Sequence, residues 1–324
     1  RDLSQEAIWL CIWGLLFFGG VALAHVPFWW GAGLSVLPLT LAAVQGAWLG
    51  HDYTHGVDGF CRAMRLFAPL AIGISPTWWG DKHNNHHALT NQMGADLDIS
   101  MPPLFLWEPH PEDDSPLRST QHIWFFLGCA TVFFSWRLRS LVAAVQAAQS
   151  GRPGARAELA ALLLHWVLLL VALPPQVICS SLALAGLICG TILTTSHLNE
   201  ELHKDFQHDW VSAQFRSTRG AVTRSAFTEW MWGGMQYHLE HHLFPTMPRS
   251  CYPRLVPVLQ EFAAANDIPG GYRADDEVDM IFRTWRRLRR LAGAPNGGEA
   301  APRLFDGATP TGIAYRARRP AGRA

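Results

Sequence analysis

Two long stretches of the chain, residues 7–50 and 159–199, contain no Asp, Glu, Lys or Arg. Each is interrupted once by helix-breaking residues, the first at His25-Val26-Pro27-Phe28-Trp29-Trp30-Gly31 and the second at Pro174-Pro175-Gln176. A bilayer core takes about 20 apolar residues, so the pattern predicts four spanning helices, at about 7–24, 32–50, 159–173 and 177–196. The third is slightly short, and Glu158 is expected at its interfacial end. Residues 66–79, with Pro69 and Pro76, and residues 122–136, closed by Arg137 and Arg139, are apolar but shorter. They read as interfacial or buried segments. Near the end, Ile281, Trp285 and Leu288 form one stripe among Arg283, Arg286, Arg287, Arg289 and Arg290, which predicts a basic amphipathic helix. Residues 293–324, rich in Ala, Gly, Pro and Arg, read as a loosely ordered tail.

Charge then fixes a direction. The two turns near 25–31 and 174–176 carry no Lys or Arg, and all 26 basic residues fall in Arg1, 51–157 or 197–324. By the positive-inside rule those segments are cytoplasmic. The expected fold is an all-α membrane protein: four transmembrane helices in two hairpins, with a cytoplasmic helical cap built from 51–158 and 197–292. Residues 1–292 form one integral-membrane domain, expected in a bacterial inner membrane. Trp29, Trp30, Trp78 and Trp79 are expected as interfacial anchors. Charged residues make up 16% of the chain, too few for a disordered protein, and 26 basic residues balance 26 acidic ones, which argues against a nucleic-acid partner. The six Cys form no C-x-x-C pair and read as small apolar side chains in a reducing compartment. Residue 1 is Arg, and the first apolar run lacks a cleavage pattern before Pro27, so it reads as a span and not a leader.

Of the 15 His, nine fall into four groups: His51 and His55; His83, His86 and His87; His197; and His238, His241 and His242. Spacings of three and four place side chains on one helix face, so each cluster can present two or three imidazoles to one point. Nine such ligands exceed the needs of one metal, and two metals sharing them is the economical reading. The pattern is not H-E-x-x-H, no Cys lies near these clusters, and no Glu-x-x-His pairs appear. His197 ends the fourth span at the depth of the other clusters; His203 and His208 are its rivals, although His203, six positions on, would face away on a continuous helix. Carboxylates or amides able to accept the other ring N–H of a metal-bound His are Asp52, Asp58, Asp81, Asp96, Asp98, Asn199, Glu200 and Glu240, with Asp98 and Glu240 foremost.

The H-x3-H, H-x2-HH and H-x2-HH series on a four-span frame resembles the membrane fatty acid desaturase family. So do Asp96-Leu97-Asp98, the segment from Gln121 to Arg137, and the run from Gly233 to Arg249, which is similar to the acyl-lipid and front-end branch. The likeness covers about residues 30–262. It implies a non-haem centre of two Fe ions, with O2 as co-substrate, held by His51, His55, His83, His86, His87, His197, His238, His241 and His242. It implies an acyl desaturase acting on an acyl lipid, acyl-CoA or acyl carrier protein. Many front-end members carry Gln where this chain has His238; bacterial members often have His there. The H-P-G-G haem motif of relatives fused to cytochrome b5 does not occur in these residues, so electrons are expected from a separate ferredoxin, rubredoxin or cytochrome b5-type donor.

Residues near the inner ends of the spans are candidates to shape an acyl slot: Gln45, Trp48, Thr191, Thr194, Thr195, Trp230, Gly233 and Gly234. His165, inside the third span, could face such a slot. The basic helix near the C-terminus would lie on anionic lipid, dock an acidic donor or carrier protein, or pack on the cap. Competing activities are a related di-iron lipid hydroxylase, acetylenase or ketolase. A metal transporter or sensor would need polar residues along a path through the spans, and only His165 qualifies.

Overall fold

The structure, a computed structural model, describes residues 1–28, 30–99 and 116–293; Trp29, His110 and the tail from residue 294 lie outside the described residues. Helix α1 (Leu3–Ala24) starts where the Asp2 carboxylate accepts from the backbone N–H of Ser4 and Gln5. Helix α2 (Gly31–His55) runs five residues past the expected end at 50, because nothing between Gly46 and His55 breaks it, and so carries the first His pair itself. Helices α8 (Ala155–Ala172) and α9 (Pro175–Thr195) are split at Leu173-Pro174, with Pro175 in the first turn of α9, where a missing N–H costs nothing. These four helices are long and apolar enough to cross a membrane. Their surfaces agree: Leu15 and Phe18 on α1 and Val167, Leu168, Leu170 and Val171 on α8 are exposed, an apolar face that only hydrocarbon solvates well.

The two breaks lie at one end of the bundle, since His25 Nε2 is 2.9 Å from the Ala172 carbonyl oxygen. Helices α1 and α2 pack as a hairpin, and α9 packs on α2. The second pair is not packed that way. Helix α8 turns to α7 (Val132–Gln149) and α4 (Phe67–Ala71), while α9 meets α6 (Gln121–Cys129) and α7. Helices α6 and α7 join at a 70° bend and wedge between the two long helices. Gly186 admits this wedge: a Cβ there would sit 2.9 Å from the Cys129 carbonyl oxygen. The apolar stretch 122–136 is therefore buried in part, through Phe125, Cys129 and Phe133.

The other end of the bundle carries α3 (Gly59–Ala63), α5 (Pro76–Ala88), α10 (Trp210–Ser217), α11 (Ala226–Trp232), α12 (His238–Leu243), α13 (Tyr252–Ala265) and α14 (Glu277–Ala292), with a parallel pair β1 (Gly220–Val222) and β2 (Ala274–Asp276). Ser75 caps α5 through Trp78 N and also contacts Glu158, whose carboxylate accepts from Thr77 at 2.8 Å. Glu158 is thus a buried clamp between α8 and α5, not an interfacial charge. Trp79 is likewise buried, edge-on to Trp136 at 4.6 Å, and does not act as a surface anchor; Trp30 is exposed and stacks on Phe28.

Gly233 closes α11 at φ +58°, where a Cβ would lie 2.1 Å from Trp48 Cδ1. Gly233→Ala should cost on the order of 3 kcal/mol, combining left-handed strain with overpacking. A fall in the unfolding temperature of the solubilised protein checks this. Gly19→Ala, whose Cβ meets nothing within 4 Å, should leave it unchanged or raise it.

Candidate metal centre

Four chain segments bring the nine histidines to one place. Helix α2 ends in His51 and His55, α5 presents His83, His86 and His87, the turn after α9 holds His197, and α12 carries His238, His241 and His242. All nine are buried. They divide into two sets. One nitrogen from each of His51, His55, His83, His87 and His241 lies within 4.8 Å of the others, and so does one from each of His86, His197 and His242. His238 joins the second set, its Nε2 2.9 Å from His197 Nε2. The boxes are split between sets because neighbouring residues on a helix point about 100° apart. His83 and His87 go one way and His86 the other; His241 goes one way and His238 and His242 the other.

Six of the Nδ1 atoms point outward to an oxygen, while those of His51 and His87 are buried without a hydrogen-bond partner. His86 meets Asp96 at 2.8 Å, His83 meets Asp98 at 3.3 Å, His197 the Ser217 carbonyl at 2.9 Å, and His238 the Met235 carbonyl at 3.3 Å. His242 meets the Gln214 carboxamide oxygen at 3.0 Å, and His241 the Tyr252 hydroxyl at 3.2 Å. An Nδ1–H donated outward leaves Nε2 as a bare lone pair pointing inward. Two such pairs face each other at 2.9 Å in His197 and His238, and at 3.3 Å in His86 and His197. Nε2 of His55, His241 and His242 is buried with no hydrogen-bond partner. Converging unpaired acceptors repel unless a cation sits among them, and neutral imidazole suits Fe, Zn, Cu and Ni. The donor set fits two metal ions, one per set.

Burial disfavours protonation of most of these rings. It holds His83, His87, His238, His241 and His242 well below the usual imidazole range, with neighbouring imidazoles adding to the effect. Burial first, and then His86, push His197 down to about 3. An unfolded imidazole takes up a proton below about pH 6.5, whereas the folded ring does not, so folding sheds protons and stability falls as pH drops through that value. At pH 5, His197 alone should cost about 2 kcal/mol, and His83, His87, His238, His241 and His242 act in the same direction. Metal-free protein should lose unfolding temperature steeply between pH 7 and 5, measured by thermal melts after chelation. A flat profile would contradict the geometry.

Other expected residues sit as follows. Asp96 bonds His86 and also accepts from the backbone N–H of Asn91 and Asp98. Asp98 touches both His83 and Lys82. Asp52 stands 3.6 Å from His51 Nδ1, beyond a hydrogen bond, and pairs with Arg249 at 3.2 Å. Glu240 points away from the rings and accepts from the Tyr272 hydroxyl at 2.8 Å. Asn199 lies 2.8 Å from Thr284 Oγ1, and Glu200 is held by Arg219 and Arg273. Asp58 caps α3 and pairs with Arg1, and Asp81 pairs with Arg152 at the surface. His203 is buried outside both sets, beside Gln92 and Met93, and His208 is exposed. Gln214, Tyr252 and the carbonyls of Ser217 and Met235 gave no sign in the sequence, since only tertiary folding brings them to the rings.

An apolar slot opens beside His51. Its walls are Ala47, Trp48, Gly50, Thr54, Ala68, Ile72, Ile74, Trp79, Trp136, Cys189 and Leu193, and it is narrow, with a cavity volume of about 20 Å³. Of the eight slot candidates only Trp48 lines it. Gln45 donates to the Trp230 carbonyl at 2.8 Å and Trp48 to the Met231 carbonyl at 3.0 Å, which fastens α2 to α11. Thr194 bonds its own helix at Gly190, Trp230 packs near Phe227, and Gly234 takes φ +101° against Arg249. His165 is buried, 2.8 Å from the Leu70 carbonyl, and lines a separate cleft with Trp13, Phe17 and Arg137.

The profile of the fatty acid desaturase family matches residues 24–273. The chain is 29% identical over 288 residues to the Delta(6)-fatty-acid desaturase fat-3 of Caenorhabditis elegans, covering 80% of this chain and 64% of that protein. It is 28% identical over 286 residues to the Acyl-lipid (9-3)-desaturase of Physcomitrium patens, covering 79% and 52%. Against Fatty acid desaturase 3 of Homo sapiens it is 28% identical over 265 residues, covering 75% and 58%. The chain thus spans less than two thirds of the length of these relatives. Nine converging imidazoles, apolar helices fit for a membrane and a family profile over most of the sequence agree: the chain belongs to the fatty acid desaturase family.

Proposed function

We propose that the protein is an oxygen-dependent acyl desaturase that introduces a double bond into the acyl chain of a lipid, through two iron ions held by the nine histidines. The observation that carries this reading is the pair of buried imidazole sets, with an apolar slot reaching the first of them at His51. His51, His55, His83, His87 and His241 would hold one ion, and His86, His197, His238 and His242 the other. Two such ions, supplied with O2 and electrons, provide the oxidising power needed to break an unactivated C–H bond. The chain's own residues do the rest. Asp96 and Asp98 fix the tautomer and direction of His86 and His83. The walls of the slot exclude water and hold one methylene at the His51 end, and such positioning accounts for much of the rate in reactions of this kind.

The membrane arrangement belongs to the same reading. Helices α1, α2, α8 and α9 span the bilayer within one domain over 1–292, with the turns at 25–30 and 173–174 outside and the histidines and C-terminus in the cytoplasm. The absence of Lys and Arg from both turns supports this orientation. The relatives named above are eukaryotic, so the inner membrane of a bacterium is an expectation of the sequence alone. Lipid profiling of a host with and without the gene tests the activity. Fatty acids lacking two hydrogens are the expected product. Fatty acids gaining an oxygen would make the protein a hydroxylase instead, and an unchanged profile would count against both.

A further inference from the structure

Desaturation at this centre leaves an electron deficit. Forming C=C from a saturated bond releases two electrons and two protons, whereas reducing O2 to two waters consumes four of each. The remaining two electrons and two protons must come from outside the substrate. They must also cross the protein surface to reach the buried rings.

The described residues offer one conspicuous place. Helix α14 buries Glu277, Met280, Thr284 and Leu288 against the protein, so its opposite face is an outward row of arginines. Arg286, Arg289 and Arg290 are exposed and have no carboxylate partner among the described residues, while Arg283 pairs with Asp275. With Asn199 and Trp285 these four line an open groove of about 680 Å³, and Arg289 lies over the Trp285 ring at 5.3 Å. A helix that lies on a bilayer turns its apolar stripe to lipid. Here Met280 and Leu288 are buried in the protein and Ile281 and Trp285 are half-buried; Phe282 is the one large apolar side chain that α14 exposes, too little for a lipid-facing stripe, which favours a soluble partner. Arginines around a Trp are also what protein interfaces enrich. The groove has a short connection inward: Thr284 is next to Trp285, its Oγ1 lies 2.8 Å from the Asn199 amide, and Asn199 is two residues from His197 in the second set.

We propose that this arginine groove on α14 is the docking site of an acidic one-electron carrier protein. The proposal rests on the desaturase reading. Two reduced carriers would dock in turn, each losing one electron to the centre, with the two protons drawn from water. The chemistry that recognises the partner is a carboxylate-rich surface, and its signature is fast, salt-dependent association.

The test uses the full chain, iron-loaded, in phosphatidylcholine nanodiscs. The probes are an acidic [2Fe–2S] ferredoxin and an acidic cytochrome b5 domain. Association rates are read at 50 and 300 mM NaCl for the parent and for a variant with Arg286→Glu, Arg289→Glu and Arg290→Glu. The expected result is parent binding that weakens with salt, and a loss of about tenfold or more in association rate at low salt in the variant. Iron content and reduction by dithionite should stay at parent values in the variant, because these arginines touch no histidine. Equal association of parent and variant, or no salt-dependent binding of either carrier, would overturn the proposal. So would a variant that differs only in phosphatidylglycerol-containing discs, which would assign the groove to lipid. A parent protein that takes up no iron would instead defeat the desaturase reading, and dithionite-reducible iron with unaltered carrier binding would defeat the docking site alone.

Discussion

His86→Ala should leave the protein with about half its iron and reduce desaturated product by at least a thousandfold. Loss of residues that merely orient a ligand typically costs 10–100-fold in metal affinity or activity, and removal of the ligand itself goes further. His86 stands in the smaller set, where only His197, His238 and His242 would remain. The emptied position leaves that ion one imidazole short in a buried site, which lowers its affinity. Asp96→Asn provides the graded comparison. Asp96 accepts from His86 and from two backbone N–H groups, so the amide keeps part of the geometry but loses charge, and a 10–100-fold loss is expected. Glu240→Gln, inside the third box by sequence but bonded to Tyr272, should keep its iron. Metal analysis and fatty acid profiling of the three variants, with unfolding temperatures to separate misfolding from metal loss, check the order. Full iron in His86→Ala would show that no ion depends on His86.

This order could not have been read from the boxes alone, although much else could. The four long helices were legible because a charge-free run of spanning length is a local property that tertiary packing rarely overrides. The histidines were legible because spacings of three and four place rings on one helix face wherever the helix later goes. Their division into five and four follows from the 100° step between His86 and His87 and between His241 and His242, but only docking of α5 against α12 shows which ring meets which. Asn199 and Glu240 are near ligands in sequence, yet their side chains leave toward Thr284 and Tyr272. Conversely, Gln214 and Tyr252 reach His242 and His241 from α10 and α13, and nothing local to them marks that role. The slot was least legible. Its walls come from α2, α4, α5, α7, α9 and the loop after α4, and Trp79, which reads as a membrane anchor, is one of them.

The slot yields the second large prediction. Ala47 lies on α2 one turn before His51 and therefore on the same face, with Ile72, Trp79 and Trp136 forming other walls of the space it lines. Ala47→Phe would place a ring where the proposed acyl chain runs while leaving every histidine and its oxygen partner in place. Overpacking of this kind typically costs about 1–3 kcal/mol, a cost that falls on whatever must share the space. Product from long-chain acyl groups should drop by about 100-fold, shorter chains should be affected less, and iron content should match the parent. Ile72→Ala works in the opposite direction. Ile72 packs where Cβ atoms on Gly46 and Gly50 would otherwise stand, at 2.6 and 3.5 Å, so trimming it extends the slot between α2 and α4. That variant should accept longer or bulkier chains, at about 2–4 kcal/mol in stability. Gas chromatography of cellular fatty acids, with metal analysis of the same purified variants, separates the cases. If Ala47→Phe retained both iron and long-chain product, the acyl chain would have to reach the histidines by another route, because no alkyl chain and phenyl ring can occupy the same turn of α2.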